Sequence, residues 1–274
     1  MEDTDYALGR SKAEYDRLIE QAELLRPLTE RVFRAAGITS GMHVLDIGCG
    51  VGDVSFLVAE LVGPTGSVLG VDLDAAAIEF ARQRCKARGI DNVQFQQSDA
   101  RSLEGGPPFD AAVGRLVLMY VSDLTTALRL IAERVRPGGI VGFHEWDARV
   151  ATASLESQPA LAHLQDIIVR TFARSGARVG IGSELYRRML DAGLEPDPRP
   201  LAEVAGTMAE YDAVCRRWTL MVRSMLPKIV EYDIASEQEI QELLRHLADE
   251  LRRSPDHKPL SWLMIGQWGR KPVI

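Results

Sequence analysis

A nonapeptide near the start of the chain, Val-Leu-Asp-Ile-Gly-Cys-Gly-Val-Gly at residues 44–52, restricts the possible folds most strongly. Its apolar run ends in Asp46, and glycines then occupy alternate positions: Gly48, Gly50 and Gly52. Glycine permits a tight turn and leaves the backbone open to a ligand. Between an apolar run and a helix-like segment, this turn predicts a nucleotide-type pocket at the carboxyl end of a first β-strand.

The spacing of these glycines argues against two common phosphate-binding loops. A dinucleotide fingerprint, Gly-x-Gly-x-x-Gly, requires glycine at position 53, where the chain has Asp53. A P-loop requires Gly-Lys-Ser/Thr, and no lysine lies near the turn. The turn is therefore poorly suited to a pyrophosphate.

A second predicted strand, residues 67–71, ends at Asp72. An acid at the end of the second strand, about 20 residues beyond a glycine loop, is where ribose hydroxyls are bound. A carboxylate can accept hydrogen bonds from both hydroxyls of a ribose. Asp72 is therefore predicted to bind a nucleoside.

The chain resembles the class I S-adenosylmethionine-dependent methyltransferases in five motifs that follow one another in order. These motifs are residues 44–52, 70–72, 97–100, 109–113 and 136–139. The resemblance covers roughly residues 40 to 147. Within this superfamily, the chain is similar to the small-molecule branch that includes ubiquinone/menaquinone C-methyltransferases and many natural-product methyltransferases.

Strand-like and helix-like segments alternate along the first half of the chain. Strands are predicted near residues 43–47, 67–71, 93–97, 109–114, 139–146, 199–205 and 261–268. Helices are predicted near residues 53–62, 74–88, 123–135, 158–175 and 183–192. This alternation predicts an α/β fold with helices on both faces of a parallel sheet. The resemblance implies a Rossmann-like, doubly wound sheet of seven strands, with the last strand antiparallel beside the fifth.

Helix-terminal signals predict several boundaries. Pro27 breaks the first helix or begins a second one. Ser122 is a candidate N-cap of the helix that follows it. Capping-box patterns at residues 207–210 and 236–239 open two more helices, and the first of these is predicted to end before Pro227.

The resemblance and the helix pattern together divide the chain into three parts. We expect an N-terminal helical lid at 1–37, a Rossmann-like cofactor-binding core at 38–206 and 256–274, and a helical cap or insertion at 207–255. The lid and the cap are expected to cover the substrate.

The resemblance also implies the cofactor, S-adenosylmethionine, with S-adenosylhomocysteine as its product. The cofactor-binding residues that it implies are Asp46, Gly48, Cys49, Gly50, Gly52, Asp72, Leu73, Ser98, Asp99, Ala100, Arg115, Leu116 and Val117. Among them Asp46 is expected near the methionine ammonium, Leu73 against the adenine ring, and Asp99 as acceptor from the adenine amino group. Structural roles compete with these, because Asp72 can begin a turn and Asp99 can cap the segment after it.

Residues 143–147, Phe-His-Glu-Trp-Asp, end the fifth predicted strand and bring acids and an imidazole to the expected cleft. His144 is a candidate general base, since an imidazole titrates near neutral pH, or else a hydrogen-bonded strand histidine. Glu145 is a candidate for stabilising positive charge on the acceptor. Candidate substrate-pocket residues are Tyr6, Tyr15, Tyr120, Trp146, Trp218 and Met221. We expect no metal, because Arg115 stands where a catechol-type site needs oxygen ligands.

Composition limits the partners. The formal net charge is −7, and the longest clusters of basic residues are pairs, which argues against nucleic acid as a partner. Three scattered cysteines fit a cytoplasmic protein. No apolar run reaches about 18 residues, so no membrane insertion is expected. A homo-oligomer, a dimer or larger, is a further possibility.

The leading hypothesis is a methyltransferase acting at carbon, oxygen or nitrogen of a small, largely apolar metabolite such as a quinone, phenol, terpenoid or polyketide. One alternative is a protein of this fold that binds S-adenosylmethionine but acts as a cyclase or a non-catalytic subunit. A less favoured alternative is an NAD-dependent oxidoreductase, whose fingerprint requires a third glycine at position 53, where this chain has Asp53. The chain also lacks the Asn-Pro-Pro-Tyr/Phe motif of nucleobase and glutamine methyltransferases after the fourth strand.

Overall fold

The computed structural model describes residues 12–103, 106–149, 158–206, 211–253 and 260–273. Its helices are α1 Lys12–Ala36, α2 Asp53–Val62, α3 Ala75–Ala87, α4 Leu124–Glu133, α5 Pro159–Arg174, α6 Leu185–Asp191, α7 Tyr211–Glu231 and α8 Glu237–Arg253. Its strands are β1 His43–Ile47, β2 Ser67–Asp72, β3 Val93–Gln97, β4 Phe109–Arg115, β5 Val135–Asp147, β6 Glu195–Pro196, β7 Leu201–Gly206 and β8 Leu260–Arg270. Short 3₁₀ turns lie at Ala100–Ser102, Leu118–Tyr120 and Gly182–Glu184.

These strands form one sheet in the order β3-β2-β1-β4-β5-β8-β6, and β7 also pairs with β8. Strands β1 to β5 pair in parallel, whereas β8 is antiparallel to β5, β6 and β7. The predicted α/β fold with an antiparallel last strand beside the fifth is therefore confirmed. The sheet has eight strands rather than seven because β6, only two residues long, carries no sequence pattern of its own.

Alternate residues of the central strands supply two hydrophobic cores, one on each face of the sheet. Val44 and Ala111 pack in the core that contains α2, whereas Leu45 and Ala112 pack in the core that contains α4, α5 and α7. A strand directs successive side chains to opposite faces, and a parallel sheet buries both of them. The same architecture brings the loops after β1, β2 and β4 to one edge of the sheet.

Proline ends neither helix in which the sequence predicted a break. Pro27 lies inside α1, and Pro227 lies inside α7, which continues to Glu231. A proline inside a helix costs about 3 kcal/mol. Side chains beyond each proline, Val32 in α1 and Ile229 in α7, are fully buried. Each buried aliphatic side chain contributes about 1.5–3 kcal/mol, so continued packing offsets the lost hydrogen bond.

Two capping predictions have different outcomes. Ser236 and Glu239 form the predicted reciprocal box, with the Ser236 N–H donating to Glu239 Oε2 at 2.7 Å and the Glu239 N–H donating to Ser236 Oγ at 3.2 Å. At α4 the cap is Asp123 instead of Ser122, and Asp123 Oδ1 accepts from the Thr126 N–H. The other predicted box, 207–210, lies outside the described residues.

In the part of the chain that the structure describes, no helix is both long and apolar enough to cross a membrane.

Candidate functional site

A cavity of about 530 Å³ lies at the carboxyl ends of β1, β2 and β4. One side, the strand-edge wall, is formed by the loops that follow the strands. It comprises Gly48, Cys49, Gly50, Asp72, Leu73, Ser98, Asp99, Ala100, Arg115, Leu116 and Val117. Side chains from α1, α5 and α7 also line the cavity and form what we call the helical wall: Glu14, Tyr15, Arg17, Leu18, Gln21, Phe172 and Met221. Further lining residues include Met119, Tyr120, Ile131 and Trp146. The open crevice at a strand-order reversal is the usual ligand site of such sheets.

The turn after β1 requires glycine for steric and conformational reasons. Gly48 has φ +65°, and a Cβ placed there would lie 2.3 Å from a methyl carbon of Val117. Gly50 has φ +50°, and a Cβ there would meet nothing within 4 Å. The backbone at Gly50 is thus open to a ligand. Gly52 packs beneath the turn against Phe95 and does not line the cavity.

Asp72, at the end of β2, is held by backbone hydrogen bonds. Its Oδ2 accepts from the Gly50 N–H at 2.8 Å and its Oδ1 from the Asp74 N–H at 2.9 Å. Burial raises the pKa of Asp72, and these hydrogen bonds act against that rise. Each oxygen keeps further acceptor capacity toward the cavity.

The adenine side predicted from the sequence consists of Leu73 and residues 98–100, and all four line the cavity. Leu73 is 55% exposed, an unusual state for a leucine and suited to a flat apolar ligand. Asp99 accepts from the Arg101 backbone N–H at 2.9 Å, and its carboxylate pairs with the Arg101 guanidinium at 2.6 Å. Those hydrogen bonds lower the pKa of Asp99. The capping role is therefore present, and Arg101 is a cavity residue that the sequence analysis missed.

Asp46 lies beneath the cavity floor, buried and outside the lining. Its Oδ2 accepts from Ser55 Oγ at 2.5 Å, while its buried Oδ1 has no hydrogen-bond partner. Burial raises the pKa of Asp46 to about 7, although the Ser55 hydrogen bond and the Arg115 charge act in the opposite direction. An unsatisfied buried acceptor costs about 1–3 kcal/mol, and a cationic ligand or a bridging water would remove that cost.

The end of β4 and the loop after it bring Arg115, Leu116 and Val117 into the cavity. Leu116 has φ +54°, a left-handed conformation that costs a non-glycine residue about 1–3 kcal/mol. Glu145 holds the loop, since its Oε1 accepts from the Val117 N–H at 2.9 Å and the Leu118 N–H at 3.1 Å. The loop thus keeps a strained shape that presses Val117 against Gly48.

The pocket candidates from the sequence separate into three groups. Tyr15, Tyr120, Trp146 and Met221 line the cavity. Trp218 is buried in the core instead. Tyr6 lies outside the described residues.

A family model described as a methyltransferase domain matches residues 38–192 of the chain. The chain belongs to this methyltransferase family. The match begins before β1 and ends after α6, so it covers every loop of the strand-edge wall. The predicted membership of the class I S-adenosylmethionine-dependent methyltransferases is confirmed.

Two curated relatives are methyltransferases of small organic molecules. The chain is 34% identical over 151 residues to the aklanonic acid methyltransferase DauC of Streptomyces sp. (strain C5), covering 52% of this chain and 67% of the relative. It is 34% identical over 131 residues to the demethylmenaquinone methyltransferase of Geobacillus stearothermophilus, covering 47% and 56%. The matched part thus spans between half and two thirds of the length of these relatives.

Two solved structures share the fold of this methyltransferase. The [4+2]-cyclase SpnF aligns with a TM-score of 0.55 and 21% identity over 91% of this chain and 81% of that one. Geranyl diphosphate methyltransferase in complex with S-adenosylmethionine aligns with a TM-score of 0.54 and 18% identity over 90% and 85%. At these identities the likeness establishes the architecture alone.

The residues of the methyltransferase fit its cofactor at several points. The open backbone at Gly50 leaves room for a chain, and Asp72 retains acceptor capacity for hydroxyl groups. The unpartnered Oδ1 of Asp46 lies outside the lining, where a bridging water would join it to an ammonium group in the cavity. Among the described residues, no three His, Cys, Asp or Glu side chains cluster in a way that would hold a metal.

The two catalytic candidates of the methyltransferase, His144 and Glu145, do not line the cavity. Both are buried in β5, which is paired on one side by β4 and on the other by β8. Burial and the charge of Arg115 lower the pKa of His144 to about 3, so it is neutral at physiological pH. Burial raises the pKa of Glu145 to about 7. We correct the expectation that these side chains face the acceptor, because an interior strand turns them into the cores.

The sequence analysis also missed polar residues on α1. Glu14 and Arg17 are buried and form an ion pair at 2.7 Å, and Arg17 also donates to Gln21 Oε1 at 2.5 Å. Ser224 of α7 donates to Glu14 Oε2 and so joins the two helices of the helical wall. The three α1 residues lie one helical turn apart, a spacing that is equally typical of a solvated face.

Proposed function

We propose that the chain transfers a methyl group from S-adenosylmethionine to a small, largely apolar metabolite of the quinone, phenol, terpenoid or polyketide type. The observation that carries this proposal is the lining of one cavity, which combines backbone and charged groups at the strand ends with apolar side chains from the helices. The strand-edge wall offers backbone and charged groups suited to a nucleoside and an amino acid. The helical wall offers Leu18, Phe172 and Met221, which suit an organic skeleton.

In this proposal the strand-edge wall holds the cofactor. Asp72 accepts from the ribose hydroxyls, Leu73 packs on the adenine, and the backbone at Gly50 lies along the methionine moiety. Residues 98–100 border the purine edge, where Arg101 must share or release Asp99 if that carboxylate is to accept from the amino group. When bound, S-adenosylmethionine supplies a methyl group already activated on a sulfonium, so the protein mainly aligns the reactants and excludes water.

The acceptor side favours a substrate that loses its proton readily. In the part of the chain that the structure describes, no histidine lines the cavity. The lining carboxylates all have partners: Glu14, Asp99 and Asp53 pair with arginines, and Asp72 and Asp74 accept from backbone N–H groups. General-base catalysis requires a base within hydrogen-bond reach of the proton to be removed. We therefore favour acceptors that are acidic themselves, such as phenols, enols and carboxylic acids. One curated relative is named for an acid, aklanonic acid, and the other for a quinone, demethylmenaquinone.

The first test is calorimetry of the purified chain with S-adenosylmethionine and S-adenosylhomocysteine, with NADH as control. Binding of the sulfur nucleosides without NADH supports the proposal, and binding of NADH alone overturns it. An acceptor screen with isotopically labelled S-adenosylmethionine then follows the label into hydroquinones, phenols, aromatic carboxylic acids and terpenoids. A product that carries the label is methylated. A rearranged product without the label would identify a cyclase instead.

A further inference from the structure

We infer that Arg115 binds the α-carboxylate of the methionine moiety of S-adenosylmethionine, and that Thr29 of α1 holds its guanidinium in position. This inference rests on the proposed function, because it assigns a part of the same site. The sequence placed Arg115 on the methionine side without giving it a partner.

The first observation is that Arg115 differs from the other arginines of the cavity. Arg17 is paired with Glu14 at 2.7 Å, and Arg101 is paired with Asp99 at 2.6 Å. Among the described residues, no carboxylate lies within ion-pair distance of Arg115; its one hydrogen bond joins Nη1 to Thr29 Oγ1 at 3.2 Å. Burial lowers the pKa of Arg115, so its charge lacks full hydration. The carboxylates of Asp53 and Asp46 favour the charge of Arg115 only from beyond ion-pair distance. An anionic ligand in direct contact would compensate the desolvation of the guanidinium further.

The second observation is the place of Arg115 in the fold. It is the last residue of β4, beside β1, whose own end leads directly into Gly48 and Gly50. The guanidinium keeps most of its five N–H donors free for a ligand, and its planar fork matches a carboxylate. An α-carboxylate lying along the glycine turn is thus the anion that this position fits best.

The third observation is charge complementarity. Asp46 lies close enough for the Arg115 charge to affect its pKa, and its Oδ1 has no partner. A cation and an anion side by side match a zwitterionic amino-acid head, with carboxylate on Arg115 and ammonium toward Asp46. A purely anionic ligand group at this position would be repelled by Asp46, and a purely cationic one would be repelled by Arg115.

Thr29 is the positioning residue in this arrangement. Its hydroxyl has one proton, which Oγ1 donates to the Leu25 carbonyl at 2.9 Å. The same oxygen then accepts from Arg115 and from His144, whose Nδ1 lies 3.1 Å away and must carry its proton in this arrangement. Helix α1 and strand β5 therefore fix the oxygen that orients the guanidinium.

The experiment compares two ligands that differ only in the carboxylate: S-adenosylmethionine and decarboxylated S-adenosylmethionine. The wild-type chain is expected to bind the carboxylated ligand about 10- to 100-fold more tightly, the range of a charged hydrogen bond. In Arg115→Met this preference should disappear, because the carboxylated ligand loses its partner while the cationic decarboxylated ligand binds at least as tightly as it does to the wild type. Arg34→Met, which removes an exposed arginine paired with Glu30, is the matched control and should keep the preference.

Retained preference in Arg115→Met, or equal binding of the two ligands by the wild type, overturns the inference. If the wild type binds neither ligand, the proposed function itself fails. Should Arg115→Met not fold, Arg115→Lys decides: it keeps the charge and loses the fork, and its preference should fall to about a few-fold.

Thr29→Val tests the positioning role, because it keeps the shape of the side chain and removes the hydroxyl. Its preference for the carboxylated ligand should fall by about threefold or more, which corresponds to losing the one hydrogen bond that orients the guanidinium. Thr171→Val is its control, since Thr171 is equally buried and donates to the carbonyl four residues earlier. Equal preference in the two valine variants would remove Thr29 from the arrangement.

Discussion

The two walls of the cavity differ in the structural elements that form them and in the groups that they present. The strand-edge wall consists largely of backbone and charged groups placed by the ends of β1, β2, β3 and β4, whereas the helical wall consists of side chains from α1, α5 and α7. In the first, position is set by a sheet whose register leaves little freedom. In the second, it is set by helix packing, where Met221 and Leu18 can adapt. We therefore propose that cofactor and acceptor requirements can change independently in this fold.

The largest effect should follow from adding one methyl group to the strand-edge wall. Gly48→Ala combines a left-handed residue, costing about 1–2 kcal/mol, with a clash against Val117, costing about 1–3 kcal/mol. We expect urea unfolding to show a loss of about 2–5 kcal/mol. Gly89→Ala is the matched control, because Gly89 also has positive φ but meets nothing within 4 Å. Equal losses in the two variants would show that the contact with Val117 is not tight.

The strand-edge wall could be predicted from the sequence because the strand ends fix the positions of its residues. Gly48 and Asp72 mark strand ends within short segments, and local pattern determines where they lie. The helical wall draws Leu18, Phe172 and Met221 from three distant helices. Their apolar spacing fits a core as well as a pocket, so the sequence could not assign them.

Other predictions failed because local sequence rules do not show which residues tertiary packing buries. The rule that proline ends a helix predicted a break at Pro27, yet Val32 and Phe33 beyond it are fully buried. His144 and Glu145 stand in a run of β5 that is buried on both faces. Alternation cannot show which side chain faces a cavity when both faces of the strand are covered.

Asp72→Ala should produce the next largest effect, on cofactor affinity. The substitution removes the proposed ribose acceptor and leaves the Gly50 and Asp74 N–H groups without their partner. A loss of about 1–3 kcal/mol, roughly 10- to 100-fold in Kd, is expected by calorimetry with S-adenosylhomocysteine. An unchanged Kd would exclude Asp72 from the cofactor site.

Met221→Ala sharpens the comparison from the other side. Met221 lies on α7 and lines the cavity as part of the helical wall. Losing its apolar contacts should lower kcat/KM for the acceptor by about 10-fold, the scale of small changes in a hydrophobic pocket. The Kd of S-adenosylmethionine should stay within about twofold. A comparable loss of cofactor affinity would mean that the two sides are coupled rather than independent.

The pH dependence of cofactor affinity tests the charge beneath the strand-edge wall. With its pKa raised to about 7 by burial, Asp46 is largely protonated at pH 6, and an ammonium ligand favours its ionised form. Binding should therefore release a proton, so that affinity rises with pH through about 7, by about five- to tenfold between pH 6 and 7.5.

The neighbouring charges, Arg115, Asp72 and Asp53, remain in Asp46→Asn, which serves as the control. That variant should bind more weakly with a flat profile over the same range. Calorimetry in two buffers of different ionisation enthalpy measures the released proton directly. A wild-type profile without slope would place the methionine ammonium elsewhere.

The smallest effect is expected for His144→Gln. This variant distinguishes a general base from a buried histidine that only forms a structural hydrogen bond. A general base contributes about 10²- to 10⁴-fold to turnover. His144 lies outside the cavity and contacts Thr29, and its low pKa leaves no titration near neutral pH. Because Gln can still donate to Thr29 Oγ1, kcat should fall by less than about threefold, on the scale of a weakened neutral hydrogen bond, and its pH profile should keep its shape. A loss of two orders of magnitude would return His144 to the reaction and require β5 to open toward the acceptor. A small loss of kcat would agree with a methyl acceptor that is acidic enough to lose its proton without a dedicated general base.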